Sequence, residues 1–92
     1  MYIHLGEKTV VKTKSIIGIF DIDYCSVSRR TRDYLKKNEQ AGRVVNVTGE
    51  LPKSFIVYDD ALTGEKAVYI SGISTATLRK RASYVDELRT GE

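Results

Sequence analysis

The chain contains few of the residues that hold disulfide-rich or metal-bound proteins together. Its 92 residues include one cysteine, one histidine and one proline, and no tryptophan. A single cysteine excludes an internal disulfide, and one cysteine with one histidine excludes a multi-Cys/His zinc site. The protein must therefore fold on its apolar core, and the lone thiol fits a reducing compartment.

Long apolar runs are missing as well. No stretch approaches the roughly 20 apolar residues that span a bilayer, and residues 1–4 lack the charged-then-apolar pattern of a signal peptide. Hydrophobic residues make up 41% of the chain and charged residues 29%, which is typical of a folded globular domain. We expect a single cytoplasmic domain without a membrane contact that, being small, gains stability by self-association.

Groups that carry catalytic chemistry are equally scarce. A Cys–His dyad would require His4 and Cys25 to meet in space, which nothing in the sequence indicates. Aspartates at 21–23 and 59–60 could hold Mg²⁺, although solvent-facing aspartates at strand ends are much commoner. The glycines are scattered and form no phosphate-binding loop. We therefore expect no enzymatic activity, metal site, cofactor or small-molecule substrate.

The spacing of apolar residues predicts six strands and two helices. The strands cover residues 2–5, 9–13, 15–22, 44–47, 54–59 and 66–71. One helix follows Ser28 and runs to about Gln40, and a second begins at Ser74 or Thr75 and continues at least to Arg81. This order predicts an α+β fold with a small, mainly antiparallel sheet of about six strands, a central amphipathic helix and a C-terminal helix.

Positive charge is concentrated in one segment of the chain. Residues 28–43 contain six basic and two acidic residues, a net charge of +4, whereas the whole chain carries +3. At about 100° per residue, the predicted helix places its basic residues on one face and Tyr34, Leu35 and Ala41 on the other. This concentration of charge is typical of an anion-binding surface.

Three arginines crowd the first turn of that helix. Arg29, Arg30 and Arg32 lie at the positive end of the helix dipole, where acidic residues are favoured by about 0.3–1 kcal/mol each. Guanidinium groups match phosphate geometry, and a helix N-terminus itself attracts anions. Two interpretations stay open: the face binds an anion or an acidic patch of a partner, or it is an ordinary solvated face. A second basic cluster at residues 79–81 fits the solvated interpretation better.

The only proline lies in the stretch TGELPKSFIVYDD, residues 48–60. Pro52 has no N–H, so it suits the first position of a strand or an exposed edge. In the strand that follows, Phe55 and Val57 face one side and Ile56 and Tyr58 face the other. We therefore expect this strand to be covered on both faces by the core, with a neighbouring subunit as a further candidate.

Three stretches of the chain resemble a known family. They are MYIHLG at residues 1–6, ELPKSFIVYD at 50–59 and VYISGISTATLRKR at 68–81. Together they resemble the RemB branch of the bacterial extracellular matrix regulatory (RemA/RemB) family of small proteins. The resemblance implies one domain over residues 1–82, followed by a C-terminal tail at residues 83–92.

The better understood RemA branch implies a function. Its members are DNA-binding transcription regulators of extracellular matrix and biofilm genes, with a fold similar to that of LytTR-type DNA-binding domains. They assemble into rings around which DNA is thought to wrap. By resemblance, we expect a ring-like homo-oligomer with duplex DNA as its partner.

The two branches differ at one rim. RemA-type proteins carry an arginine pair after the glycine that precedes the fifth strand, and the matching positions here are Glu50 and Leu51. A carboxylate at that place repels phosphates. We therefore expect DNA contacts mainly from the helix, through Arg29, Arg30, Arg32, Lys36, Lys37 and, at the margin, Lys53. The expected oligomer contacts are Leu51, Pro52 and Phe55.

These observations together predict a non-enzymatic regulator that self-assembles and binds duplex DNA through phosphates rather than base edges. The alternative is an assembly or partner-binding module that makes no useful DNA contact. A small enzyme ranks below both.

Overall fold

The computed structural model describes residues 2–6, 8–25, 27–49 and 51–90, with side chains through Ala82 except that of Cys25. All six predicted strands and both predicted helices are present. The elements are β1 (Tyr2–His4), β2 (Val10–Lys12), β3 (Ile16–Asp21), α1 (Ile22–Cys25), α2 (Arg29–Gln40), β4 (Val44–Asn46), β5 (Ser54–Asp59), β6 (Lys66–Ser71) and α3 (Thr75–Thr90), with a 3-10 turn at Thr13–Ser15. The sequence predicted neither that turn nor α1.

The six strands form two sheets. β1 and β2 make an antiparallel hairpin, and the other four strands form a sheet in the order β3-β5-β6-β4. Neighbours in this sheet are antiparallel, except that β4 runs parallel to β6. The predicted α+β class with mainly antiparallel pairing is confirmed. Among the described residues, the strands of the short hairpin pair only with each other. The hairpin meets the larger sheet through side chains, since Ile3 and Val11 pack in the same apolar cluster as Ile56.

The core lies between the hairpin, α3 and one face of the larger sheet. Ile56 of β5 and Leu78 of α3 are fully buried there. They pack in one apolar cluster with Ile3, Leu5, Val11, Ile19, Tyr58, Ala67 and Tyr69. Full burial of an aliphatic side chain such as Ile56 contributes about 1.5–3 kcal/mol. This face therefore supplies most of the apolar burial that stabilises the fold.

The second face of the larger sheet is covered by α2. Phe55 on this face is buried, as Ile56 is on the other, so the expected coverage of β5 on two faces is confirmed within one chain. α2 itself has no buried residue, and Thr31, Leu35 and Asn38 are half-buried. The helix rests on the sheet through a narrow contact, as its thin apolar face predicts.

The ends of α2 follow from local sequence. Ser28 occupies the N-cap position with extended backbone, but its hydroxyl makes no capping hydrogen bond. Gly42 adopts a φ of 73°, in the left-handed region that glycine enters without a steric penalty. Its N–H donates to the carbonyl of Glu39 at 3.0 Å. The predicted end of this helix at about Gln40 is confirmed.

A bulge separates Ile16 from Gly18 in β3. A Cβ at Gly18 would lie 2.5 Å from the ring of Phe20, so glycine lets that ring lie close to the strand. This bulge shapes the part of the sheet that faces α2.

α3 begins at a capped turn. Ser74 Oγ accepts from the backbone N–H of Thr77 at 3.3 Å. The helical backbone continues to Thr90, across the boundary at residue 82. In the part of the chain that the structure describes, no helix is both long and apolar enough to cross a bilayer.

Candidate functional site

The basic residues of α2 divide between its outer side and one flank. Successive residues turn by about 100°, so Arg29, Arg32 and Lys36 fall within an arc of about 60°. Arg30 and Lys37 lie about 80–100° around the helix from Arg29, on one flank. The half-buried side that contacts the sheet is centred about 125° from the outer three. All five of these basic side chains are exposed.

Few acidic side chains neutralise this surface. Arg29 Nε and Asp33 Oδ2 are 4.0 Å apart, one helical turn along, and both side chains are largely exposed. An exposed pair of this kind contributes about 0.3–0.5 kcal/mol. Of the described residues, none forms a recorded ion pair with Arg30, Lys36 or Lys37. Lys36 on the outer side and Arg30 and Lys37 on the flank therefore present their positive charge to solvent.

A groove runs between α2 and the face of the sheet that it covers. Its aromatic end has a volume of about 450 Å³ and is lined by Phe20, Arg30, Thr31, Tyr34, Phe55 and Val57. A second section of about 710 Å³ shares Tyr34 and Val57 and extends past Lys37 to Asp59 and Lys66. The groove therefore follows β5, with the first turn of α2 at its Phe55 end.

Two phenylalanines form the floor of the aromatic end. The rings of Phe20 and Phe55 stack with centroids 5.1 Å apart and an interplanar angle of 22°. Phe55 is only 3% exposed, whereas Phe20 is 37% exposed. The predicted interface residue Phe55 thus lies beneath the surface, and Phe20, which the sequence did not single out, presents the accessible ring.

The loop before β5 carries the other predicted interface residues. Leu51 is 80% exposed and Pro52 is half-buried. Hydrogen bonds hold the backbone of Lys53 on both sides: its N–H donates to Ser71 at 2.8 Å, and its carbonyl accepts from Ile22 at 3.0 Å. The apolar side chain of Leu51 therefore projects from an anchored rim. Glu50 lies outside the described residues.

Lys53 lies at the arginine end of α2. It precedes Phe55 by two residues, and Phe55 shares the groove with Arg30. The structure therefore brings five predicted DNA contacts onto α2 and places the sixth at the same end of the sheet. It does not bring His4 into this region, because β1 lies in the other sheet. The Cys25 side chain lies outside the description.

Two of the four aspartates considered for Mg²⁺, Asp21 and Asp60, have structural partners. Asp21 Oδ1 accepts from the N–H of Tyr24 at 2.9 Å, at the start of α1. Asp60 is 3% exposed and accepts hydrogen bonds from the N–H groups of Leu62 and Thr63. It also meets Lys12 Nζ at 3.3 Å. These carboxylates organise turns.

Contacts within its turn favour the ionised form of the Asp60 carboxyl. The N–H of Thr63, the N–H of Leu62 and the Lys12 ammonium lower the pKa of the Asp60 carboxyl, against the opposing effect of burial. The same contact raises the pKa of Lys12. The result is a rigid connection between β5 and β6, whose tip carries Leu62.

The second basic cluster is tied to the backbone. Arg79 donates to the carbonyl of Ile19 on the edge strand β3 at 2.8 Å, and Arg81 donates to the carbonyl of His4 at 3.0 Å. These arginines join α3 to both sheets while remaining exposed, so they combine a solvated position with a structural contact. No sequence signal identifies carbonyls 60 and 77 residues away as their partners.

Comparison with known proteins agrees with the resemblance. The family model described as RemA-like, Extracellular matrix regulatory protein A-like, matches residues 2–82. The chain is also similar to Extracellular matrix regulatory protein B of Bacillus subtilis (strain 168). The two are 39% identical over 88 residues, which is 96% of this chain and 98% of the relative.

Proposed function

Because this chain belongs to the RemA-like family of extracellular matrix regulatory proteins, we propose that it is a non-enzymatic regulator of extracellular matrix genes that self-assembles and binds duplex DNA. In this proposal it acts in the cytoplasm, recognises DNA through phosphates and needs no cofactor. The family supports the regulatory role, and the contacts to DNA are proposed from the chemistry of α2.

The observation that carries the proposal is the exposed outer face of α2. Arg29, Arg32 and Lys36 project on one side over two helical turns, about 10 Å along the axis. Arginine and lysine donors spaced along such a face suit neighbouring backbone phosphates. Arg30 and Lys37 extend this charge on one flank, and Lys53 extends it at the N-terminal end.

Self-assembly would make weak phosphate contacts useful. A ring-like oligomer repeats the +4 segment in every subunit, so contacts that are weak singly combine along one DNA molecule. The exposed Leu51, the adjacent Pro52 and the groove above Phe55 form the proposed assembly surface. Burying an exposed leucine side chain favours association by about 1.5–3 kcal/mol.

The test measures solution mass and DNA affinity together, for wild type and an Arg29/Arg32/Lys36→Ala variant of the outer face. The control is Lys8/Lys14/Lys80→Ala, which removes the same charge from three exposed positions elsewhere. We expect the outer-face variant to keep its mass and lose DNA affinity, while the control retains most of it. Loss of assembly in the outer-face variant would instead make these three side chains interface residues.

A second candidate is an assembly or partner-binding module without DNA binding. It is favoured by Leu51, an exposed apolar side chain at the position where the sister branch carries an arginine. In that case wild type would oligomerise yet bind no DNA at low salt, and Leu51→Glu would reduce its mass.

A further inference from the structure

The tip of the β5–β6 connection presents an exposed leucine on a fixed backbone. Leu62 is 92% exposed. Its N–H donates to Asp60 Oδ1 at 2.9 Å, and the N–H of Gly64 donates to the Asp60 carbonyl at 2.7 Å. A single exposed leucine is ordinary on a protein surface. Here, however, hydrogen bonds to the buried Asp60 order the backbone at Leu62, so little backbone conformational entropy would be lost if another surface covered this side chain.

The groove beside α2 has the complementary chemistry. Its aromatic end offers the accessible ring of Phe20 and the 41%-exposed Tyr34, with Arg30 at the rim. A volume of about 450 Å³ exceeds that of a leucine side chain. The turn that carries Leu62 is flanked by the carboxylates of Asp59 and Glu65 and by the ammonium of Lys66, the cross-strand partner of Asp59, so its acidic groups outnumber the basic one and are opposite in sign to Arg30. The apolar groups and the charges therefore match.

The two surfaces lie at opposite ends of one strand. Leu62 follows β5 beyond Asp59, whereas the aromatic end of the groove lies at Phe55. Six strand residues span about 17–20 Å. A subunit therefore cannot fill the aromatic end of its own groove with this turn without breaking the β5–β6 pairing, but a second subunit can.

We propose that Leu62 of one subunit inserts into the groove between Phe20 and Tyr34 of the next subunit. The inference rests on the self-assembly in the proposed function and names its contacts. A contact between two different surfaces is heterologous, so repetition closes into a ring or continues as a filament. Arg30 and Lys37 border this groove, which leaves Arg29, Arg32 and Lys36 on the outer side of α2 for DNA.

The experiment compares solution masses of the full chain by sedimentation over a range of concentrations. Leu62→Glu removes the apolar side chain that is proposed to insert, and Tyr34→Glu places a carboxylate in the groove. Tyr2→Glu is the control, since Tyr2 is 61% exposed on the separate β1–β2 hairpin. We expect each of the first two variants to weaken association by at least about tenfold and the control to match wild type.

Mixing the two defective variants tests the pairing directly. The intact Leu62 of the Tyr34→Glu chain fits the intact groove of the Leu62→Glu chain, so an equimolar mixture should form heterodimers and nothing larger. A mixture that stays monomeric would overturn the proposal. Far-UV circular dichroism establishes that each variant folds, and Leu62→Ser replaces Leu62→Glu if the charge disturbs the turn.

The outcomes separate this inference from the function on which it rests. If wild type is monomeric at all concentrations, self-assembly fails and the inference fails with it. If wild type assembles and Leu62→Glu assembles equally well, only the inference is overturned, and assembly through Leu51 remains. Assembly that is lost on both substitutions and restored as heterodimers supports it.

Discussion

The two faces of the four-stranded sheet differ in how completely they are covered. On the face toward the hairpin and α3, Ile56 and Leu78 are fully buried in one apolar cluster. On the face toward α2, no residue of the helix is itself buried, and Phe20 and Tyr34 remain partly exposed beside a groove. The first face holds the fold together, and the second leaves charged and aromatic groups available for binding.

This difference places the residues that stabilise the fold on one face of the sheet and the residues proposed for binding on the other. Every β5 side chain alternates between the faces, so Ile56 faces the core while Phe55 lies under the groove. Substitutions on one face should change mainly the free energy of unfolding. Substitutions on the other face should change mainly binding and assembly.

The largest expected effect comes from the core face. Ile56→Ala should lower the free energy of unfolding by about 2–5 kcal/mol, because it leaves a cavity in a packed cluster. Leu35→Ala, on the half-buried side of α2, should lower the free energy of unfolding by only about 1 kcal/mol. Urea unfolding measures both. Equal losses would contradict the distinction between the faces.

A second prediction concerns the turn that carries Leu62. The lowered pKa of Asp60 means that its carboxylate stabilises the fold above the unfolded-state pKa of about 3.9, and that this contribution is lost as pH falls through the lower folded value. Asp60→Asn should therefore be less stable than wild type at neutral pH.

The pH dependence separates this effect from a general loss of stability. As pH falls below about 4, the unfolding free energy of Asp60→Asn should fall less steeply than that of wild type, because the titrating group is gone. Parallel curves for the two proteins, measured by urea unfolding at each pH, would show that Asp60 does not carry this dependence.

A smaller effect is expected at the junction of α3 with β3. Arg79→Ala removes the hydrogen bond to the Ile19 carbonyl and should lower the unfolding free energy by about 1 kcal/mol. Lys80→Ala, its exposed neighbour, is the matched control and should change it by less than about 0.5 kcal/mol. If the two variants are equally stable in urea, the Arg79 contact contributes nothing measurable.

The smallest effect on stability is expected on the outer face of α2. Arg29→Ala breaks only an exposed contact with Asp33, so the unfolding free energy should change by less than about 0.5 kcal/mol. DNA affinity at low salt, measured by fluorescence anisotropy, should fall nonetheless. A variant that loses stability but keeps its affinity would reverse the assignment of the two faces.

Local patterns in the sequence predict the elements well. The runs SFIVYD and KAVYIS are rich in β-branched and aromatic residues, and β5 and β6 begin and end where those runs do. α2 ends at Gln40, as predicted, because Gly42 just beyond it provides a stop that depends only on the local backbone. The family could also be identified from short motifs spread over most of the chain.

Contacts between segments that are distant in the chain are harder to predict from the sequence. The parallel pairing of β4 with β6 and the separation of the hairpin depend on how whole elements pack. The hydrogen bond that Arg79 donates could not be predicted, because its acceptor is a backbone carbonyl, which has no sequence signature. Phe55 could be assigned to an exposed interface because the stacked Phe20 comes from another strand.

The central claim is that the outer face of α2 binds DNA phosphates without holding the fold together. The most direct test is the slope of log affinity against log salt concentration for wild type and for Arg29/Arg32/Lys36→Ala. Each lost phosphate contact should make the negative slope shallower by about 0.9, with the unfolding free energy nearly unchanged. A wild-type slope near zero, or no binding at low salt, would contradict the claim.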